Sequence, residues 1–396
     1  MTVSDRAAAI WIGVIAAAIY LAAGFGLSTD YDYYGRLADA FLHGRWWLTE
    51  APPWLNELLA CGDGRYCVVY PPLPAILSLP FVPFFPTAVA QVVASRIAGG
   101  ASAGVLYYGL RAYGASRTYA LAGALLSAFG TTLFFSSVDG RAWYAAHSAS
   151  MLFLAGAFAV AARGGNAVAI GALIGISALA RLPVALAAPA LALLCARRGG
   201  APFGRSLGGV IAGGVPFAIV YVGYNVLRWG TPFDDGYARL TQGDVFFSHG
   251  LFSPLYLLRQ LNAMFLEPPD LIPGTPFFFR PHFSGMSLLL TTPAFVWVFI
   301  ALREVRRDVA VAATAAAALL ALLPDLFHAT WGFQQFGYRF SIDAQPFLVA
   351  LALAGDGLFR EAWRRWPTII FIVAIVLSLA VNIYATIAIT RFDYWQ

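Results

Sequence analysis

Lysine is absent from this 396-residue chain; all 25 basic residues are arginine. Charge of either sign is scarce, with Asp, Glu and Arg together making up 11% of the residues. An average soluble domain carries about twice that share. No polar stretch is long enough for a separate soluble domain. The motifs of nucleotide handling are missing too: there is no Walker-type loop, no dinucleotide fingerprint and no His-Glu-x-x-His. These absences exclude a nucleotide-handling enzyme. If a group is transferred here, its donor comes from the membrane.

What is present is apolar, 60% of all residues. Apolar stretches near spanning length recur from end to end, so the bilayer is the main solvent. The expected fold is an all-α polytopic membrane protein forming one domain over residues 1–396. Spans are predicted at roughly 8–28, 88–110, 118–137, 143–162, 166–180, 183–196, 207–227, 285–302, 309–327, 342–359 and 367–390, about eleven transmembrane helices. The run 7–27 after Arg6 is long for a cleaved signal and reads as a retained helix.

The arginines punctuate the apolar segments and form no long basic run, which argues against a nucleic-acid partner. With the N-terminus inside, Arg6, Arg111, Arg117, Arg163, Arg197, Arg198, Arg205, Arg303, Arg306, Arg307, Arg360, Arg364 and Arg365 all fall in short cytoplasmic segments, as the positive-inside rule requires. Of the acids, Asp5, Glu304, Asp308, Asp356 and Glu361 lie inside, and the other fifteen of twenty lie on or near the outer side. The two long loops, 29–87 and 228–284, are also outer, and long loops in a compact protein are usually functional. The expected location is therefore the cytoplasmic (inner) membrane, multi-pass, with the chemistry facing the periplasm or exterior.

In the first outer loop Cys61 and Cys67 flank Gly62-Asp63-Gly64, a sequence that favours a tight turn. An oxidising compartment would permit a disulfide; two free thiols are the other option. Residues 31–43 carry Tyr33, Tyr34, Leu37, Phe41 and Leu42 at helical spacing, with Arg36, Asp39 and His43 elsewhere, so an amphipathic interfacial helix is expected. Asp30 just precedes it, either as an N-cap or as a reactive carboxylate. Tyr70-Pro71-Pro72-Leu73-Pro74 with Pro80, Pro83 and Pro86 reads as a surface-hugging or re-entrant segment.

Asp139 and Arg141 stand in a short outer loop, where pairing with each other is the simple reading. His147 follows one turn into the next span, as a satisfied core ring or a site residue. Arg181, between two short apolar segments, is the most informative residue. A guanidinium at membrane depth is costly without an anion, and its fork suits a phosphate. A salt bridge to a buried carboxylate such as Asp343 is the alternative. Tyr224-Asn225 with Arg228-Trp229-Gly230-Thr231-Pro232 and Gly236-Tyr237 form a helix end with belt aromatics. The second long loop continues through Pro281-His282-Phe283-Ser284. Gln335, Tyr338, Arg339 and Asp343 precede the tenth span; Arg339 and Asp343 are spaced for a helical i,i+4 pair.

These pieces, in this order and sidedness, resemble the polytopic lipid-phosphate-sugar-dependent glycosyltransferases of the GT-C superfamily. The likeness is nearest to bacterial relatives of protein O-mannosyltransferases and of the lipid A aminoarabinose transferase. It rests on Asp30 with Tyr34, Arg36-Leu37-Ala38, His43-Gly44, Tyr70 to Pro74, Ala180-Arg181-Leu182-Pro183, Asn225 with Arg228 to Pro232, and Gly337-Tyr338-Arg339 with Asp343 and Pro346, and so runs through most of the chain. The resemblance implies an inverting cell-envelope transferase fed by a polyprenyl-phosphate sugar, with a glycan, lipid or protein as acceptor. It implies Asp30 as base, with Asp32 a rival because Tyr31 interrupts the acidic pair of some members. Asp139 matches a second acid by position only. Arg181 and Arg339 would bind the lipid phosphate, and Tyr34, Arg36, Arg141, His147, Asn225, Arg228, Tyr237, His282, Gln335, Tyr338 and Asp343 are candidates for the substrate pocket. A divalent cation, Mg or Mn, between Asp30 and Asp139 has no support from spacing. The alternative is a transporter or flippase of lipid-linked saccharides, though no internal repeat is visible.

Overall fold

A computed structural model describes residues 3–271, 279–280, 282, 285–357 and 367–392. Pro281, Phe283, Ser284, Arg360, Glu361, Arg364 and Arg365 lie outside the described residues. The chain begins with α1 (Val3–Ala23), whose Ala-rich apolar sequence favours helix. A short helix α2 (Tyr33–Leu42), a hairpin β1 (Leu58–Gly62) and β2 (Arg65–Val68), and α3 (Leu73–Ser78) follow. Then come α4 (Thr87–Tyr113), α5 (Arg117–Phe129), α6 (Leu133–Asp139), α7 (Ala142–Ala162) and α8 (Ala167–Ala178). A 3-10 turn over Leu182–Ala187 leads into α9 (Ala188–Gly199), and α10 is Phe203–Trp229. The next loop carries α11 (Asp235–Leu240), α12 (Leu257–Phe265) and a short ladder of β3 (Asp270–Leu271) with β4 (Phe279–Arg280). Last come α13 (Leu288–Thr291), α14 (Val296–Ala301), α15 (Val309–Leu326), α16 (Gln345–Gly357) and α17 (Ile369–Phe392).

Among the described residues, seven helical segments are long and apolar enough to cross a bilayer: α1, α4, α7, the stretch Leu182–Gly199, α10, α15 and α17. The pair α5 and α6, bent by 46° at the break between them, makes an eighth if counted as one span. Eleven were expected. Of the remaining three, α8 has only 12 residues and α16 only 13. The segment 285–302 is split into α13, a 3-10 turn and α14, because Pro293 has no N–H to continue the first helix.

Large apolar side chains face outward along α1 (Ile10, Trp11, Val14, Ile15), α10 (Ile211, Val215, Ile219) and α17 (Ile370, Val373, Val376). No water-soluble protein exposes such belts, whereas lipid accepts them. The protein is a multi-pass α-helical membrane protein with α4 and α7 at its centre. Close packing at that centre rests on small residues. A Cβ on Gly104 would lie 2.1 Å from the Ala9 carbonyl oxygen, and one on Gly100 would lie 2.4 Å from the Ala17 backbone. The α8–α10 pair repeats the device, with Gly171 against Val210 and Gly213 against Val168.

The loop 29–87 is folded onto this bundle. α2 buries Tyr33, Tyr34 and Leu37, and Gly35 meets the backbone of Thr87 at the start of α4. The hairpin is tied by a Cys61–Cys67 disulfide, with Cα atoms 5.8 Å apart. Arg228, at the end of α10, donates to the carbonyls of Val68 (2.6 Å) and Tyr70 (3.1 Å), pinning the hairpin exit.

Candidate functional site

Arg181 leaves α8 just where the chain turns, and its guanidinium reaches two acids. Nε donates to Asp343 at 2.9 Å, and Nη2 lies 2.7 Å from Asp343 and 3.0 Å from Asp325. Asp343 also accepts from His147 Nδ1 at 2.9 Å, both side chains being fully buried. So Asp325, Arg181, Asp343 and His147 form a quartet drawn from the end of α15, the turn before α9, the turn before α16 and the first half of α7. The i,i+4 pair of Arg339 and Asp343 does not form. Residues 339–344 are a 3-10 helix, in which side chains three apart eclipse and those four apart diverge.

Arg339 stands beside this quartet and makes no ion pair among the described residues. It is 6% exposed, and it donates Nη1 to the Phe333 carbonyl at 3.2 Å. Its guanidinium lies 5.4 Å from the Tyr144 ring and 5.3 Å from the Phe340 ring, while its buried Nε has no partner among the described residues. The loop below it is held under strain. Gln334 is the one non-glycine residue with positive φ (43°) among the described residues, and it is anchored by Arg141 Nη1 to its side chain (2.7 Å) and by the Tyr144 hydroxyl to its carbonyl. Backbone strain of this kind collects at functional sites.

Glu57, in the loop before β1, faces the same region. It accepts from the Trp143 indole at 3.0 Å, and its backbone N–H donates to the Tyr33 hydroxyl at 3.1 Å. Burial pushes the Glu57 carboxyl up to about 7, against the indole hydrogen bond and the Arg339 charge, which lower it. Burial also raises the Tyr237 hydroxyl, with Glu57 adding to the rise and Arg339 opposing it. Tyr70 packs near Tyr33 (5.5 Å), Tyr34 (5.7 Å) and Tyr237 (6.2 Å). Among the described residues, the buried hydroxyls of Tyr34 and Tyr70 have no partner, nor does His147 Nε2. Buried polar groups normally find partners, so this aromatic wall offers hydrogen-bonding groups to a ligand.

Other sequence candidates take structural places. Asp32 is buried, bound to Arg36 (2.7 Å) and to the Thr87 hydroxyl (2.6 Å), so it locks α2 to α4. Asp30 is exposed and makes no ion pair or hydrogen bond among the described residues. Its neighbour Tyr31 packs on Trp143 (4.9 Å), and Gln91 bridges the Tyr31 and Gly140 carbonyls, so the Asp30 segment is fastened to the α6–α7 turn. Asp139 pairs with Arg141 at 3.3 Å. Asn225 accepts from Arg228 at 2.7 Å, placing both in the hairpin clamp. Tyr338 donates to Gln260 (2.9 Å), Gln335 donates to the Trp331 carbonyl (2.6 Å), and His282 lies 3.5 Å from Glu267.

No three His, Cys, Asp or Glu side chains converge as metal ligands among the described residues. With Asp139 held by Arg141, the Asp30–Asp139 pair does not fit a divalent ion. Sequence reading passed over Glu57 and Asp325. Glu57 gave no signal, being a lone acid in an irregular loop. Asp325 did give one, as a carboxylate closing an Ala- and Leu-rich span.

What these elements define is a multi-pass membrane protein with a buried charge quartet, a neighbouring arginine that makes no ion pair among the described residues, and a tyrosine-lined wall. The chain matches no family model, no curated protein and no solved structure.

Proposed function

We propose that this protein is a glycosyltransferase that moves a sugar from a polyprenyl-phosphate donor to an acceptor hydroxyl at the outer face of the cytoplasmic membrane. Arg339 carries this reading. A guanidinium so deeply buried, with no carboxylate in ion-pair contact among the described residues, suits an anion from outside the chain, and a lipid phosphate matches its fork. The tyrosines around Tyr70 and Tyr237 supply flat faces and hydroxyls for a sugar ring.

In the reaction, the acceptor oxygen attacks the anomeric carbon while the bond from that carbon to the phosphate oxygen breaks. The electron pair leaves on the lipid phosphate, and the acceptor proton passes to a carboxylate. Arg339 stabilises the charge growing on the phosphate. Arg181, already matched by two carboxylates, holds Asp343 and Asp325 in place. Asp30 is the base by resemblance. Glu57 is the rival, since a carboxyl near 7 is matched to proton transfer at neutral pH.

The test is purified protein with a panel of polyprenyl-phosphate sugars, measuring released polyprenyl phosphate. At least one donor should react, and Arg339→Gln should slow release by about 100-fold or more. Silence with every donor, or an active R339Q, would sink the proposal. Asp30→Asn should lower the rate by about 100-fold or more while donor still binds. If Glu57 is the base instead, Glu57→Gln is the inactive variant, and wild-type rate climbs with pH through about 7.

The runner-up, a transporter or flippase of lipid-linked saccharides, draws on the quartet itself, because chains of intramembrane Asp and His also carry protons in transporters. Donor movement across vesicles without release of lipid phosphate would favour it.

A further inference from the structure

At the other end of the bundle, away from the quartet, the ends of α1, α4, α7 and α9 line an open cavity of about 350 Å³. Arg6, Arg111, Arg163, Arg198 and Tyr108 line it, with no acid among the lining side chains. The preference for arginine on one side of a membrane explains why cations lie at this end. It does not explain why four of them converge on one hollow.

Three of the four are held in place by one edge. Arg111 donates Nε to Asp5 at 3.2 Å and Nη1 to the Ala115 carbonyl. Arg198 donates to the Tyr113 carbonyl at 2.8 Å and lies 5.2 Å from that ring. Arg163 donates to the Tyr108 hydroxyl and lies 5.3 Å from its ring. A guanidinium has five N–H donors, so each keeps others for a ligand. Arg6 has no hydrogen bond or ion pair among the described residues and sits in the first turn of α1, where the helix dipole disfavours a cation. Asp5, the acid that ion-pairs at this end of α1 and α4, is 1% exposed and is shared between Arg111 (3.2 Å) and Arg117 (3.3 Å), so it does not neutralise the others.

We propose that this cavity binds a phosphate group, and that the group belongs to the headgroup of an anionic phospholipid. Arginine forks match phosphate oxygens in pairs. The cavity lies at the ends of spanning helices, the level at which headgroups sit, and basic pockets between such helices suit anionic lipids. In the orientation proposed above the lipid is one of the inner leaflet. The site depends on that orientation and not on transferase chemistry.

The experiment uses full-length protein in nanodiscs of phosphatidylcholine alone, of phosphatidylcholine with phosphatidylglycerol, and of phosphatidylcholine with inorganic phosphate added. Bound lipid is read by native mass spectrometry and stability by the thermal midpoint. Phosphatidylglycerol should be retained and should raise the midpoint. The double variant Arg6→Gln with Arg163→Gln should bind it roughly thirty-fold more weakly, each basic residue near an anionic surface being worth a factor of about five. Arg197→Gln, an exposed arginine at the same end that does not line the cavity, should behave as wild type. An equal rise with inorganic phosphate keeps the phosphate site and overturns the lipid as its source. Equal retention by wild type and double variant, or no retention at all, overturns the site. Because transfer is not measured, failure here leaves the transferase reading untouched.

Discussion

Arg181 and Arg339 lie side by side at one end of the bundle, both at least four-fifths buried and both 5.3 Å from the ring of Phe340. Arg181 meets two carboxylates, whereas Arg339 meets a carbonyl and two aromatic faces. The difference separates two uses of one residue type. A guanidinium with its acids supplied by the chain holds segments together. One that makes no ion pair among the described residues ties no such segments together. The two arginines to which the resemblance gives one role thus have different partners.

Removing Arg181 should have the largest effect. Arg181→Met leaves Asp325 and Asp343 buried without a cation, which costs about 3–5 kcal/mol and shows as a lowered thermal midpoint or loss of monodisperse protein. Adding Asp343→Asn should recover part of that loss; if it recovers none, the quartet does not act as a unit. Next is the hairpin that carries Glu57 toward Arg339. Replacing both Cys61 and Cys67 with Ser should cost about 2 kcal/mol in local opening, because the bridge closes a short loop. Hydrogen exchange confined to residues 48–70 would report it.

Arg339→Gln should lower stability by only about 1 kcal/mol, the worth of cation–π contact with its rings. A loss as large as that for Arg181 would erase the contrast. At Glu57 the expected effect is a pH dependence. Its carboxyl is raised from 4.5 to about 7, so the folded state binds the proton more tightly than the unfolded chain. Its contribution to stability is therefore greatest at low pH and declines as pH rises from about 4.5 through 7. Glu57→Gln removes that decline, so the midpoints of variant and wild type should draw apart between pH about 4.5 and 7 and stay a constant distance apart above it, with the variant higher. Parallel curves would show that Glu57 is not held in the buried state described.

Much of the fold was legible in the sequence. The long apolar runs at 88–110, 143–162, 207–227, 309–327 and 367–390 each correspond to a helix whose ends differ by a few residues, since composition alone decides what partitions into lipid. The Gly-Asp-Gly turn between Cys61 and Cys67 is formed and the bridge with it. The hairpin strands around that turn were not anticipated, because two short strands in an irregular loop leave no period to count. At the site, Arg181 with Asp343 was one of two readings, and the structure forms that pair. Asp32, a rival base, is instead a buried latch, because Arg36 and Thr87 enclose it.

Sequence alone determined that this chain lives in a bilayer, where its apolar runs lie, and which residue types crowd each end, because partitioning and charge placement act on local composition. Tertiary structure decided which acid meets which arginine. Arg181 and Asp343 are 162 residues apart, and the partner of a buried charge depends on which helix ends the packing of small residues brings together.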